Sequence, residues 1–278
     1  MSGTRLLVAL RLHAGVNAKN RPDWFSKERC VRSLASAVQA ARAAGMRVDG
    51  VVYVDDAGPV LGTELLDAAR LVGRIEHHVA GSGRRSWQSH LLRIKAAPEL
   101  AELAEDGFIY LVEDDHLHLE DALVRAGGCP APYGLLYSLS KDASAERIDS
   151  QGFTWQSALR GVSSCLVRKD VFLRDERLLR LMAYGGAAFD LLTWKVIHAD
   201  AYFTPGDIAF PFRPRPPFVF AGYARSTYYA MWRVFSNLLI ALRKSTDVYA
   251  VEPCAATHCE NGWLAPGPDW KSISDASS

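Results

Sequence analysis

The sequence predicts an α/β fold, a mostly parallel central sheet flanked by helices, with a less regular C-terminal half. Three observations lead to it. Short apolar, β-branched runs alternate with amphipathic stretches through the first half, as in strand–helix–strand units. The strand runs are continuously apolar, as in strands covered on both faces. Polar turns follow them at their carboxyl ends, where parallel sheets place ligands. With 278 residues, 49% hydrophobic and 23% charged, the chain is long enough for a full core. One domain is expected over 1–271, in two halves, 1–130 and 131–271, followed by a flexible polar tail at 272–278.

Taken in order, Leu6-Leu7-Val8-Ala9-Leu10 reads as the first strand, running into a polar, Gly-containing loop from Arg11 to Asn20. Pro22 and Asp23 open a segment in which Val31, Leu34, Ala35, Val38 and Ala41 recur at helical spacing before Gly45 closes it. Val51-Val52-Tyr53-Val54 is the second strand and ends in the turn Asp55-Asp56-Ala57-Gly58-Pro59. A short helix (63–72), a strand (74–79) and a polar loop with Gly81, Gly83, Arg84 and Arg85 follow, then a helix from Ser86 to about Glu105. Phe108-Ile109-Tyr110-Leu111-Val112 is the most strand-like run, and Glu113-Asp114-Asp115 succeeds it directly. Beyond a helix from Leu119, strands are expected near 133–139 and 163–167 and helices near 189–198 and 228–244. Pro211 to Pro217 reads as an extended connector or cleft rim.

Composition excludes several classes of function. A net charge of +1 sets up no global field for nucleic acid or an acidic membrane, so anion binding must be local. The N-terminal residues lack the pattern of a signal peptide, and no run approaches the roughly 20 apolar residues of a membrane span. A soluble, cytoplasmic protein is expected. Five cysteines without paired spacing suit a reducing compartment. Cys254, His258 and Cys259 lack the ligand spacing of zinc sites and read as ordinary side chains.

Three adjacent carboxylates after a buried strand repel one another unless something neutralises them. A divalent metal, Mn2+ or Mg2+, would do so while bridging the phosphates of a substrate, which is what transfer from a nucleoside diphosphate requires. The plainer reading is a solvated turn that caps the following helix. These residues resemble the metal-binding D-x-D motif, in its Glu-Asp-Asp form, of GT-A fold glycosyltransferases. Asn20-Arg21-Pro22-Asp23-Trp24 with Ser33-Leu34-Ala35-Ser36 is similar to the opening of such enzymes, and Gly161 to Arg168 to their later core strand.

The resemblance implies a Rossmann-like GT-A domain with a nucleotide-sugar-binding half (1–130) and an acceptor-binding half (131–271). It implies Asp115 as the direct metal ligand, with Glu113 and Asp114 contacting the ribose or orienting metal-bound water. His258 stands where several such enzymes return a His to the metal shell. Asp55 and Asp56 are candidates for contact with base or ribose, against a simple turn. Arg84 and Arg85 are candidates for the diphosphate or the base, against plain solvent exposure. Asp190, before an apolar helix, is the candidate base for an inverting transfer. The expected activity is sugar transfer from a nucleotide-sugar donor to a glycan, glycolipid, protein or modified nucleobase. The alternatives are a nucleotidyltransferase acting on sugar phosphates, against which the loop at 11–21 lacks clustered glycines, and a non-catalytic nucleotide-sugar or carbohydrate-binding protein.

Overall fold

The computed structural model describes residues 5–15, 20–55, 60–78, 84–139, 145–158, 164–184, 191–199, 234–236 and 238–277. Its first strand, β1 (Arg5–His13), pairs in parallel with β2 (Arg47–Asp55) on one side and β4 (Phe108–Glu113) on the other. β3 (Arg74–His78) extends the sheet beyond β2. On the other side follow β9 (Cys165–Arg168), β6 (Tyr133–Leu135), β10 (Val248–Glu252), β8 (Phe153–Ser157) and β7 (Arg147–Ser150). The order of the nine-stranded sheet is β3-β2-β1-β4-β9-β6-β10-β8-β7. Only β9 and β8 run against the others. This is the mostly parallel central sheet flanked by helices, in a mixed α/β fold, that the sequence predicts.

The apolar run of β1 is continuous because both faces are covered. Leu6, Val8, Leu10 and Leu12 pack on one side, Leu7 and Ala9 on the other. The first side is covered by α1 (Lys27–Ala43), α2 (Thr63–Val72), α5 (Ala122–Ala126) and α8 (Trp270–Ala276). The second is covered by α3 (Arg84–Ala96), α4 (Pro98–Glu102), α6 (Lys169–Tyr184) and α7 (Leu191–Ile197). A small separate sheet pairs β5 (His116–His118) with β11 (Ala256–His258). It bears directly on the site.

Several boundaries differ from the sequence reading for identifiable reasons. β1 continues through Arg11 to His13, because β4 pairs with it as far as Arg11 and β2 as far as His13. α1 begins at Lys27 and not near Pro22, since Ser26 is extended and its hydroxyl accepts from the Arg29 amide as a cap. Arg84 and Arg85 open α3 instead of lying in the loop, and the long helix expected from Ser86 divides where Pro98 starts α4. The stretch from 272, read as a flexible tail, lies within α8, where Ser274 is buried and Trp270 joins the core. The proline run at 211–217 and residues 228–233 and 237 of the helix expected at 228–244 lie outside the described residues; 234–236 and 238–241 are helical.

Backbone meets backbone where α2 returns to the sheet. A Cβ on Gly73 would stand 2.0 Å from the Gly50 carbonyl oxygen, and one on Gly50 2.2 Å from that of Val72. No side-chain adjustment relieves such contacts. Gly73→Ala is therefore expected to destabilise the fold by at least about 2 kcal/mol, read as a lower urea midpoint at unchanged slope.

Asp175 of α6 ties the second helical layer together. It accepts from Arg174 at 2.9 Å, Arg243 at 2.9 Å and the Tyr133 hydroxyl at 3.1 Å. Burial opposes its ionisation, but the two guanidinium groups outweigh it and hold the carboxyl below its ordinary range. A depressed folded pKa stabilises above the unfolded value, near 3.9, and that contribution is lost as the pH falls through the folded value. Asp175→Asn should thus melt well below wild type at neutral pH. The gap should close as the buffer is taken below about pH 4.

Candidate functional site

The carboxyl ends of β1, β2, β3 and β4 form one edge. Register aligns Arg11 with Tyr53 and with Glu113, and His13 with Asp55, which in turn aligns with His78. Asp55 and the acidic run therefore share the edge that the parallel topology predicts for a ligand.

Strand geometry separates the three consecutive carboxylates. Successive side chains point to opposite faces, so Glu113 falls on the side of Ile109 and Leu111, while Asp114 turns toward α1. Glu113 receives the Arg11 guanidinium at 2.7 Å, and Arg11 itself lies 5.1 Å from the centre of the Trp87 ring. Asp114 receives Lys27 Nζ at 2.6 Å and the His13 amide at 3.0 Å, with only 7% and 4% of the two charged side chains exposed. Lys27 also donates to the His13 carbonyl oxygen.

Asp115 lies past the strand and gathers the remaining groups. Its Oδ1 accepts from His116 Nδ1 at 2.9 Å, and its Oδ2 accepts from Arg21 at 2.8 Å and from His258 Nε2 at 3.0 Å. His258 arrives through the antiparallel pairing of β11 with β5, which sets it opposite His116 and stacks the two rings with centroids 5.0 Å apart. Arg21 is fixed from three sides: by Asp115, by the Cys259 carbonyl oxygen at 2.7 Å and by the Phe25 ring at 4.7 Å. Burial works against ionisation of Asp115, but hydrogen bonds and charge from His116 and His258 prevail and hold it well below the usual carboxylate range. Burial likewise opposes protonation of His258, and Asp115 overcomes it and raises the imidazole. The pair favours a carboxylate beside a protonated ring.

These contacts change the argument for a metal. Arg11, Lys27 and Arg21 each neutralise one member of the acidic run, so charge balance does not call for an added cation. Among the described residues, no group of three or more His, Cys, Asp or Glu side chains is arranged to hold a metal ion. Two groups do converge, Asp115 Oδ2 and His258 Nε2, and a cation could use both only after the proton they share is lost. That number fits a cation that takes most of its ligands from phosphate and water. Glu113 and Asp114 are held elsewhere by their own cations.

Of the other sequence candidates, Asp55 stands at the shared edge. Asp56 and Asp190 lie outside the described residues, as do the side chains of Arg84 and Arg85. Sequence reading missed Arg11, His13, Lys27 and His116. Lys27 carried a signal: it heads the buried stripe of α1, four residues before Val31 and seven before Leu34, a position where an apolar side chain is the rule. The cysteines do not cluster with His258. Cys254 donates to the Ser138 carbonyl oxygen, and Cys259 Sγ lies 3.6 Å from Cys30 Sγ.

No protein-family model matches the sequence, and no curated protein matches it. Among solved structures, a 4-diphosphocytidyl-2C-methyl-D-erythritol synthase aligns with 66% of this chain and 84% of its own at 13% identity and a TM-score of 0.37. That similarity is too slight to carry a function across.

The pairing of Lys27 with Asp114 makes a sharp test of the site's frame. Removing one partner of a buried ion pair leaves an uncompensated charge, so Lys27→Met should cost about 3–5 kcal/mol. Adding Asp114→Asn, which keeps an acceptor for the His13 amide, should restore at least half of the loss in chemical denaturation.

Proposed function

We propose that the chain is a glycosyltransferase that moves a sugar from a nucleoside-diphosphate sugar to an acceptor hydroxyl, with the donor at the carboxyl edge of β1, β2 and β4. The observation that supports this is the grouping at Asp115. Of the three carboxylates, it alone carries Arg21 and His258 with it. A guanidinium and an imidazole that favours its proton are suited to the charge that builds on a departing diphosphate. Their preorganisation by Asp115 means that little rearrangement is needed as that charge develops. Asp55 and His13, aligned across β2 and β1, are positioned for the nucleoside end of the donor.

Asp115 and, once its Nε2 proton is lost, His258 are the residues that would hold a divalent ion here. Such an ion, when bound, supplies Lewis-acid stabilisation of the leaving phosphate. Asp190 is our candidate for the base that takes the acceptor proton, and inversion at the anomeric carbon follows if it acts so. A nucleotidyltransferase would need free cations after the first strand to cradle a triphosphate. Among the described residues, Arg11 and Lys27 are already engaged by Glu113 and Asp114; Lys19, in the same connection, lies outside the described residues.

A thermal-shift and calorimetry screen of UDP, GDP, CMP and dTDP sugars, with and without Mn2+, tests the proposal. One nucleotide series should bind, and Asp115→Asn should weaken it at least about tenfold with an unchanged circular dichroism spectrum. Pyrophosphate release from a nucleoside triphosphate and a sugar phosphate would replace the reading with nucleotidyl transfer. Donor binding without turnover on any acceptor class would reduce it to a binding protein.

A further inference from the structure

The helical residues 234–236 and 238–241 bury one side and leave the other apolar. Ser236 and Ile240 face inward, where Ile240 packs with Met182 of α6 and Val196 of α7, and Arg243 just beyond anchors the segment on Asp175. Val234, Leu238 and Leu242 recur at four-residue spacing on the outer side and are 40%, 61% and 85% exposed. Ala241, between them, is exposed as well. The outer faces of the other long helices carry charge, as at Arg32 and Arg42 of α1 or Glu64 and Arg70 of α2. An outward stripe of valine and leucine without a charge needs an apolar covering.

The charge pattern indicates which covering. Between Asp207 and Asp247 there is no Asp or Glu at all, while Arg213, Arg215, Arg225, Arg233, Arg243 and Lys244 fall in that interval among many Phe, Tyr and Trp residues. The net charge of +1 therefore hides a strongly positive stretch set against an acidic remainder. Lys244, directly after the stripe, is exposed. Leucine on one side and Lys244 at its flank, in a stretch of sequence rich in cations and aromatic residues, suit the headgroup boundary of an anionic bilayer, where basic side chains meet lipid phosphates. No helix among the described residues is long and apolar enough to cross a membrane, so the contact would lie in the plane of the surface.

We propose that the outer face formed by Val234, Leu238 and Leu242, with Lys244 at its edge, docks the protein on the surface of an anionic lipid membrane. The inference is independent of the reaction assigned to Asp115. Flotation of the full chain with phosphatidylcholine vesicles, with and without phosphatidylserine, tests it. Binding to the phosphatidylserine vesicles should be at least about tenfold stronger and should fall with added salt. The double substitution Leu238→Glu/Leu242→Glu should reduce it to the phosphatidylcholine level at an unchanged melting temperature. If that variant fails to fold, Lys244→Glu decides, and it should weaken binding to the anionic vesicles alone. Equal binding to both vesicle types, no binding to either, or full binding by the variant that decides would overturn the proposal. So would a concentration-dependent dimer that the variants abolish in the absence of vesicle binding, which would assign the face to a second copy of the chain.

Discussion

The site depends on one constraint: three carboxylates follow a buried strand, and a strand turns consecutive side chains to opposite faces. The acidic run cannot act as one cluster. Glu113 is committed to the α3 side of the sheet and Asp114 to the α1 side, and each is met there by a cation from β1 or α1. Asp115, the second residue beyond the end of β4, is met instead by Arg21 and His258. Its neighbours come from the β1–α1 connection and from β11, segments far apart in sequence.

The Lys27–Asp114 pair has a further consequence. Because Lys27 also donates to the His13 carbonyl oxygen while the His13 amide donates to Asp114, the start of α1, the end of β1 and the end of β4 are locked into one unit. An ion pair this buried adds little net stability over an apolar replacement, so its value lies in fixing geometry. It fixes the start of α1 against the end of β1. Arg21, six residues before Lys27, is thereby delivered to Asp115. We regard this as a positioning role, distinct from contact with substrate.

Much of the fold was legible in the sequence, and unevenly so. β1, β2 and β4 announced themselves as apolar runs, since parallel strands covered on both faces leave no polar alternation to confuse the reading. α1 showed through the spacing of Val31, Leu34, Val38 and Ala41. Boundaries failed where hydrogen bonding overrode composition: Arg11 and His13 look like loop residues and belong to β1, and Ser26 starts α1 where Pro22 seemed to. The short strands β5, β7 and β11 had too few residues to display any period. Of the site, Asp115 and His258 were both singled out, but their meeting rests on a three-residue pairing between distant segments, which no local pattern encodes.

The acidic run also shows how a sound physical premise can yield an incomplete inference. Adjacent buried carboxylates do require compensation, and a divalent cation is one solution; cations of the chain itself are another. Choosing between them from sequence requires knowing which basic residues reach the run. Arg11 stands in the strand beside β4, Lys27 opens the next helix, and Arg21 lies in the connection between them. All three come from one strand–loop–helix unit that parallel topology brings against the end of β4. Once β1 and β4 are recognised as neighbours, the basic residues that follow the first are the natural partners of the acidic residues that follow the second. The candidate donor site is then best regarded as a balanced lattice of opposite charges. An incoming diphosphate, with or without a metal, would meet Arg21 and His258 already oriented by Asp115 and find Glu113 and Asp114 occupied.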